Sequence, residues 1–300
     1  MQLPPFLTAG DCIGIAAPAR WVDKKDIELF VGAIEEQGWR AKAGSIHTRH
    51  DQLSGDDEHR LRDLQSLFDD PEIKAIVCAR GGYGTARLLD GIDLNTFAGS
   101  PKWIAGFSDI TALHSCILMK IGTAVLHSAM PYTLKDKNDP GLSSLIGVLR
   151  GDFPSYEVKP VDLNRKGRGQ GIFLGGNLSV LYSLTGTSYQ IPTRGAILFL
   201  EDVDEYLYHI DRMMLNLKMV GMLEHLNGLV IGGMTDMKDN DIPFGRNAFE
   251  IIREAVEPYD FPVCFGFPAG HQDPNLALVL GREVFLEIDQ SGCIMEYIKE

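Results

Sequence analysis

The chain has 300 residues, of which 45% are hydrophobic and 23% charged, enough to bury one large core or two moderate ones. The formal net charge of −13 would repel nucleic acid and anionic membranes, so neither is expected as a partner. No secretory pattern and no apolar run of about 18 residues is visible. The five cysteines are odd in number and mostly lie in apolar runs, which predicts reduced thiols in a cytoplasmic protein. No local metal-binding motif is present, and no cofactor is expected.

The first half of the chain alternates short apolar runs with amphipathic segments. The spacing predicts strands over Cys12–Ala17, Ile73–Ala79, Trp103–Phe107 and Thr123–Leu126, and helices over Lys24–Gln37, Asp57–Phe68, Thr85–Leu89 and Ile110–Lys120. Because the strands are almost continuously apolar, they predict a parallel sheet covered on both faces. We expect a flavodoxin- or Rossmann-like α/β domain over residues 1–160, with ligands at the carboxyl ends of its strands.

The second half changes character after a polar, glycine-rich stretch, Asn164–Gly169, which predicts a linker. Shorter strands are predicted over Ala196–Leu200, Gly228–Ile231, Val263–Phe265, Ala277–Leu280, Val284–Ile288 and Cys293–Tyr297, with helices near Tyr206–Val220 and Arg246–Val256. The last two strands resemble a hairpin around residues 289–292. Residues 161–300 are therefore predicted to form a smaller, strand-rich α+β domain.

Ser108 follows the apolar run Lys102–Phe107 and precedes a predicted helix that begins near Asp109. A serine at a strand-to-helix turn projects its hydroxyl from the top of the sheet, near helix N–H groups that can stabilise an oxyanion. Serine is also a preferred helix N-cap, and Ile110 stands where a Gly-x-Ser-x-Gly motif has its last glycine. Judged from this segment alone, capping is the favoured role.

Three further groups follow predicted apolar strands. The loop Arg80–Gly84 can receive an anion on its backbone N–H groups, or can be a tight turn without a ligand. Glu201 is placed to orient an imidazole, or belongs to a solvated acidic loop. His271 lies in a stiff, proline-flanked loop, and His127, near Ser108 in sequence, is its rival as a general base. A serine, a carboxylate and a histidine that each follow a strand match a catalytic triad on an α/β scaffold.

Several strings resemble, in order and spacing, the murein tetrapeptide LD-carboxypeptidases, a family grouped with the microcin C self-immunity peptidases. They are Ala16–Pro18, Arg80–Gly84, Gly106–His114, Gly175–Leu178, Leu200–Asp202 and Gly270-His271. The resemblance covers nearly the whole chain and favours nucleophile over cap for Ser108. Two departures are Ala19, where the family commonly has serine, and Leu278–Gly281, which lacks the family's proline.

The resemblance implies a Ser–Glu–His triad in which Ser108 is the nucleophile, His271 the general base and Glu201 its orienting carboxylate. It also implies an oxyanion hole formed by the N–H groups of Asp109 and Gly82. In the family the active site lies between the two domains, and its members are commonly homodimers.

An LD-carboxypeptidase releases a terminal D-alanine from a murein peptide, so a small peptide is the expected substrate. Recognition of a free carboxylate suits a guanidinium, and Arg80 is the candidate. One alternative is a microcin-immunity-like peptidase that cleaves an aminoacyl-nucleotide amide. Another is a two-domain protein that binds a small molecule without cutting it.

Overall fold

The computed structural model describes residues 1–298. They divide into two compact units, one formed by Met1–Phe153 with Pro274–Val279, and the other by Pro154–Asp273 with the chain from Leu280 onward. The predicted boundary lies after residue 160, whereas the second unit begins at Pro154 because Tyr156–Val158 pairs within its sheet. Over residues 1–298, no helix has both the length and the apolar character needed to cross a bilayer.

The described elements are thirteen strands, eight α-helices and three short 3-10 turns. The strands are β1 Cys12–Ala16, β2 Arg40–Ala43, β3 Ile73–Cys78, β4 Trp103–Gly106, β5 Val125–His127, β6 Tyr156–Val158, β7 Gly167–Asn177, β8 Ile197–Val203, β9 Gly228–Thr235, β10 Val263–Phe265, β11 Leu278–Leu280, β12 Glu283–Asp289 and β13 Gly292–Tyr297. The helices are α1 Lys25–Glu36, α2 Asp57–Asp69, α3 Asn95–Gly99, α4 Thr111–Lys120, α5 Pro140–Arg150, α6 Leu178–Ser183, α7 Leu207–Met219 and α8 Ala248–Ala255. The 3-10 turns span Thr85–Gly91, Ser108–Ile110 and Pro131–Thr133.

The first unit is built on a six-stranded sheet in the order β11-β5-β4-β3-β1-β2. Strands β2, β1, β3, β4 and β5 pair in parallel, which confirms the predicted α/β sheet. Every residue of β1, β4 and β5 is buried, so these strands lie in the core between helical layers. Their carboxyl ends share one edge of the sheet, and the loops at that edge carry Ser108 and the Arg80–Gly84 segment.

The second unit contains a seven-stranded mixed sheet in the order β10-β9-β8-β7-β12-β13-β6. The half from β10 to β7 is parallel, and β7, β12, β13 and β6 are antiparallel. This arrangement confirms the predicted strand-rich second domain, including the hairpin that joins β12 to β13. The parallel half is the part that carries the catalytic candidates of this unit.

The predicted linker at Asn164–Gly169 is wrong at its carboxyl end, because β7 begins at Gly167. The glycines of β7 allow close packing of the backbone and do not make the segment a flexible linker. A Cβ on Gly169 would lie 1.9 Å from the carbonyl oxygen of Asn227, and one on Gly171 would lie 2.1 Å from that of Gly195. Backbone therefore passes directly over these residues, and only glycine fits there.

The predicted strand at Ala277–Leu280 exists as β11 but belongs to the first sheet, where it lies beside β5. The segment that leads to it packs on the first unit, since the Ala277 amide donates to Ser144 Oγ of α5 at 3.0 Å. Single-sequence patterns do not encode such a return of the chain. Helix α5 was not predicted either, although Asp139 caps its first turn and Gly151 ends it in a left-handed conformation.

Candidate active site

Ser108 sits in a strained turn at the carboxyl end of β4. Its φ is 63°, in the left-handed region, where a residue with a Cβ pays about 1–2 kcal/mol. The N-cap positions of the 3-10 turn and of α4 are Phe107 and Ile110, so Ser108 caps neither, and the local capping prediction is wrong. A strained strand-to-helix turn that holds a serine is the geometry of a nucleophile elbow.

The glycine loop after β3 packs directly against this serine. A Cβ built on Gly81 would lie 3.1 Å from Ser108 Cβ and 3.3 Å from Ser108 Oγ. The next residue, Gly82, has a φ of 119°, which a side chain would strain. The loop therefore brings bare backbone to the serine hydroxyl.

Asp109 fastens that loop to the serine turn. Its carboxylate is buried, with the residue 7% exposed, and accepts a 2.9 Å hydrogen bond from the Thr85 amide. Burial raises the pKa of Asp109, and its hydrogen bonds to Thr85 and the charge of Arg60 offset this only in part. The side chain of Asp109 thus has a structural task, which leaves its backbone N–H as the group to consider for oxyanion binding.

Arg60 joins the loops that follow β1 and β3. Its guanidinium is fully buried and donates to the carbonyl oxygen of Pro18 and, at 2.9 Å, to that of Gly84. Its other donor contact is with Asp57, which also receives the Arg87 guanidinium. A buried cation that donates to both loops rigidifies them, so backbone donors near Ser108 are held in place before any ligand binds.

The second unit holds a carboxylate–imidazole pair. Glu201, in β8, is fully buried, and its Oε2 lies 2.7 Å from His271 Nδ1 and accepts the His271 backbone N–H at 3.0 Å. Burial lowers the pKa of His271, but the charge and hydrogen bond of Glu201 outweigh it, and the net pKa is raised. With Nδ1–H directed at the carboxylate, Nε2 is the nitrogen that can accept a proton.

Glycines allow the histidine loop to reach this carboxylate. The β8–β9 register shifts at Glu201, where Gly232 and Gly233 of β9 face a single residue of β8. A Cβ on Gly232 would lie 2.4 Å from the carbonyl oxygen of Ala269, and one on Gly270 would lie 2.7 Å from Glu201 Cβ, Cγ and Oε2. The bulge between β8 and β9 and these glycines together allow the histidine loop to pack against the end of β8.

Two further hydrogen bonds hold the loop that carries His271 in place. Thr235 Oγ1 donates to the His271 carbonyl oxygen at 2.7 Å, and the Gly233 amide donates to the carbonyl oxygen of Ala269 at 3.0 Å. The main chain on both sides of the imidazole is therefore tied to β9. A rigid loop of this kind orients a base without the entropy cost of ordering it later.

A buried amide–carboxylate network surrounds the end of β8. Asp202 accepts from Asn177 Nδ2 at 2.9 Å and from the Ser179 amide at 2.8 Å, while Asn177 Oδ1 caps α6 by accepting from the Val180 amide at 3.1 Å. Burial, with Glu201 as a neighbouring charge, raises the pKa of Asp202 to about 6. This network explains the Gly-Gly-Asn-Leu string: its asparagine ties α6 to the strand that carries Glu201.

The other predicted site residues lie as follows. The Arg80 guanidinium stacks on the ring of Tyr132, 3.8 Å from its centroid, and Gly82 lies between Gly81 and the 3-10 turn that starts at Thr85. His127 is fully buried in β5 and packs edge-on against the ring of Phe107, with ring centroids 5.7 Å apart. Burial, with His127 as a neighbouring group, lowers the pKa of His114 to about 3. The burial of His127 in the core argues against its rival assignment as a base.

The sequence did not indicate which contacts the glycines near the site make. Gly81, Gly232 and Gly270 each lie where a Cβ would meet a candidate catalytic group or its loop. The sequence does contain paired glycines beside polar residues. Such a pair indicates that another segment can pack closely against the backbone, but not which segment does so. Arg60 was missed because it reads as the polar face of a helix, and only its burial reveals its role.

Comparison with known proteins identifies the family of the chain. A model of the LD-carboxypeptidase N-terminal domain matches residues 13–128, and a model of the LD-carboxypeptidase C-terminal domain matches residues 170–286. A probable murein peptide carboxypeptidase of Bacillus subtilis is 33% identical, over 98% of this chain and 94% of that protein. A murein tetrapeptide carboxypeptidase of Pseudomonas aeruginosa is 30% identical, over 92% of each.

A solved structure has the same fold. The crystal structure of a muramoyltetrapeptide carboxypeptidase from Oxalobacter formigenes superposes with a TM-score of 0.87 at 27% identity, covering 96% of this chain and 99% of that one. Both halves of the chain thus match one family, in the order in which that family carries them. The chain belongs to the LD-carboxypeptidase family and is a peptidase.

Proposed function

We propose that this protein is a serine carboxypeptidase that hydrolyses an L,D-peptide bond, releasing a terminal D-alanine from a murein peptide. The observations that carry the proposal are a strained, glycine-flanked Ser108 in one unit and a buried Glu201–His271 pair in the other. Ser108 taken alone, or the Glu201–His271 pair taken alone, can have a purely structural role. A peptidase of this family needs a nucleophile and a base, and these residues have the required chemistry.

In the proposed reaction, His271 Nε2 takes the proton of the Ser108 hydroxyl as Oγ attacks the peptide carbonyl carbon. Glu201 keeps the imidazole in the tautomer with Nδ1 protonated and stabilises the imidazolium that forms. The imidazolium then gives its proton to the departing D-alanine amine, and an acyl group remains on Ser108. A water molecule, deprotonated by the same histidine, releases the acyl group and restores the serine.

The oxyanion of the tetrahedral intermediates needs fixed donors. We assign this role to the backbone N–H groups of Asp109 and Gly82. Asp109 directly follows the serine, and Gly82 adjoins Gly81, the residue in contact with Ser108. The Asp109–Thr85 and Arg60–Gly84 hydrogen bonds hold both segments, so the donors need no reorganisation during the reaction.

A carboxypeptidase must also recognise the free end of its substrate. Arg80 remains our candidate for the terminal carboxylate, because it adjoins Gly81 and its guanidinium edge can donate two parallel hydrogen bonds. Stacking on Tyr132 restricts the orientation of that guanidinium, and a stacked arginine still has its in-plane donors available.

Release of D-alanine from a murein tetrapeptide tests the proposal. The wild-type protein should release it, and Ser108→Ala should lower turnover by on the order of 10⁴–10⁶-fold. Ser100→Ala, at an exposed serine after α3, is the matched control and should keep wild-type turnover. Substantial turnover by Ser108→Ala would exclude Ser108 as the nucleophile.

One observation favours a second candidate, a microcin-immunity-like peptidase that cleaves an aminoacyl-nucleotide amide. Tyr206 and Tyr208 follow β8 and are 40% and 39% exposed, with ring centroids 5.6 Å apart. Exposed aromatic rings can stack on a nucleobase. If this function is correct, an aminoacyl-nucleotide amide should be the faster substrate, and Tyr206→Ala should slow it without affecting the murein peptide.

A further inference from the structure

Arg20 lies at the same edge of the first sheet as the serine turn. It stands in the loop after β1, and the strand order β4-β3-β1 leaves one strand between its loop and that of Ser108. The intervening strand, β3, carries the glycine loop. Three consecutive loops at one parallel edge therefore bear Ser108, Gly81-Gly82 and Arg20, where ligands bind in open α/β sheets.

The side chain of Arg20 lies across the glycine loop. A Cβ on Gly82 would be 2.5 Å from Arg20 Cδ and 2.7 Å from Arg20 Nε. Because Gly81 in turn contacts Ser108, the chain of contacts limits the distance between Arg20 Nε and Ser108 Oγ to about 13 Å, which three or four extended residues span. The guanidinium is thus within reach of a short peptide whose scissile bond is at Ser108.

The Arg20 guanidinium is oriented but not neutralised. Its Nε donates to Gln52 Oε1 at 3.2 Å, and the Ala19 carbonyl oxygen accepts from the Ser54 amide at 3.1 Å, so the segment is held in place. Other arginines of this unit pair with carboxylates, among them Arg40, Arg49 and Arg87. Within residues 1–298, no carboxylate lies within 4.0 Å of Arg20, in a protein whose net charge is −13.

We infer that Arg20 is a specificity-determining residue that binds a carboxylate of the peptide substrate. The inference rests on the proposed function. A guanidinium recognises a carboxylate through paired, charge-assisted hydrogen bonds, which suit it better than a neutral group. The end of the peptide that is cut carries two carboxylates: the free C-terminus, for which Arg80 is also a candidate, and the side-chain carboxylate of a diaminopimelate residue, which a lysine residue lacks.

Binding of three peptides distinguishes between these two carboxylates. The peptides are a tetrapeptide ending in diaminopimelate–D-alanine, its lysine analogue and its C-terminal amide, each titrated calorimetrically into the Ser108→Ala protein. Adding Arg20→Gln should weaken binding of the diaminopimelate acid by about 10–100-fold. The loss should nearly vanish for the lysine peptide if the side-chain carboxylate is bound, or for the amide if the C-terminus is bound.

Arg49→Gln is the matched control, because Arg49 lies in the same region but already pairs with Asp23 at 2.7 Å and stacks on Trp21. It should leave all three affinities unchanged. Equal losses for the three peptides on Arg20→Gln, or no loss for any, would overturn the inference. Turnover of the wild-type protein is measured separately, so peptide binding through Arg20 without D-alanine release would refute the proposed reaction and keep the carboxylate site.

Discussion

The backbone strain at Ser108 makes a prediction about stability that is independent of activity. At a φ of 63°, alanine is destabilised by about 1–2 kcal/mol relative to glycine. Glycine in turn loses roughly 0.5–1 kcal/mol more backbone entropy on folding. Ser108→Gly should therefore be more stable than Ser108→Ala by about 0.5–1 kcal/mol, although both variants lack the nucleophile.

Urea unfolding followed by tryptophan fluorescence measures this difference in the right part of the protein. All three tryptophans, Trp21, Trp39 and Trp103, lie in the first unit, as does Ser108. With a slope of about 2 kcal/mol per molar urea, the two midpoints should differ by roughly 0.2–0.5 M.

The control is the same pair of substitutions at Ser100, whose φ of −146° lies outside the left-handed region. There the glycine variant should be the less stable one, because glycine relieves no strain and loses more backbone entropy on folding. If Ser108→Gly were no more stable than Ser108→Ala, the serine turn would store no strain, and its assignment as a nucleophile elbow would lose its physical basis.

Three further predictions concern the Glu201–His271 pair and its rival. Because Glu201 raises the pKa of His271, kcat/KM should rise with pH through an inflection at higher pH than the pKa of a free imidazole. In Glu201→Gln, burial alone lowers the pKa of His271, so the inflection should move to lower pH while kcat falls about 10⁴-fold. An unmoved inflection would contradict the assignment. Gly270→Ala places a Cβ 2.7 Å from Glu201 and should lower the free energy of unfolding by about 1–3 kcal/mol more than Gly245→Ala. Gly245 is the control because its φ of 85° is similar to the 99° of Gly270, but its surroundings are open. Equal losses in thermal unfolding would argue against the clash. His127→Ala should retain D-alanine release per folded molecule within about fivefold, whereas His271→Ala should lose about 10³-fold or more, and the reverse order would make His127 the base.

Much of the architecture could be predicted because buried parallel strands are recognisable in the sequence as apolar runs. Strands β1, β3 and β4 were located to within a residue or two for this reason. Strand β2 was missed because it is short and its residues are largely exposed, so it carries no apolar run. Its pairing with β1 comes from backbone hydrogen bonds, to which the side chains contribute little.

The chemistry of the site was predictable only in part. Glu201 and His271 each follow an apolar strand, and the structure pairs them at 2.7 Å, 70 residues apart in sequence. Local sequence patterns do not show which distant segments come into contact. Examples are the contact of Gly81 with Ser108 and the position of Arg20 over Gly82. Those contacts depend on which loops share an edge of the sheet, and strand order is a property of the fold rather than of any local pattern.

The most direct test of the account is to trap the acyl-enzyme. The wild-type protein is mixed with a murein tetrapeptide, quenched with acid within milliseconds, digested and analysed by mass spectrometry. We predict an adduct with the mass of the peptide minus D-alanine on the fragment that contains Ser108, and its absence in Ser108→Ala. Steady release of D-alanine with the adduct on another residue, or by the Ser108→Ala protein, would contradict the proposed mechanism.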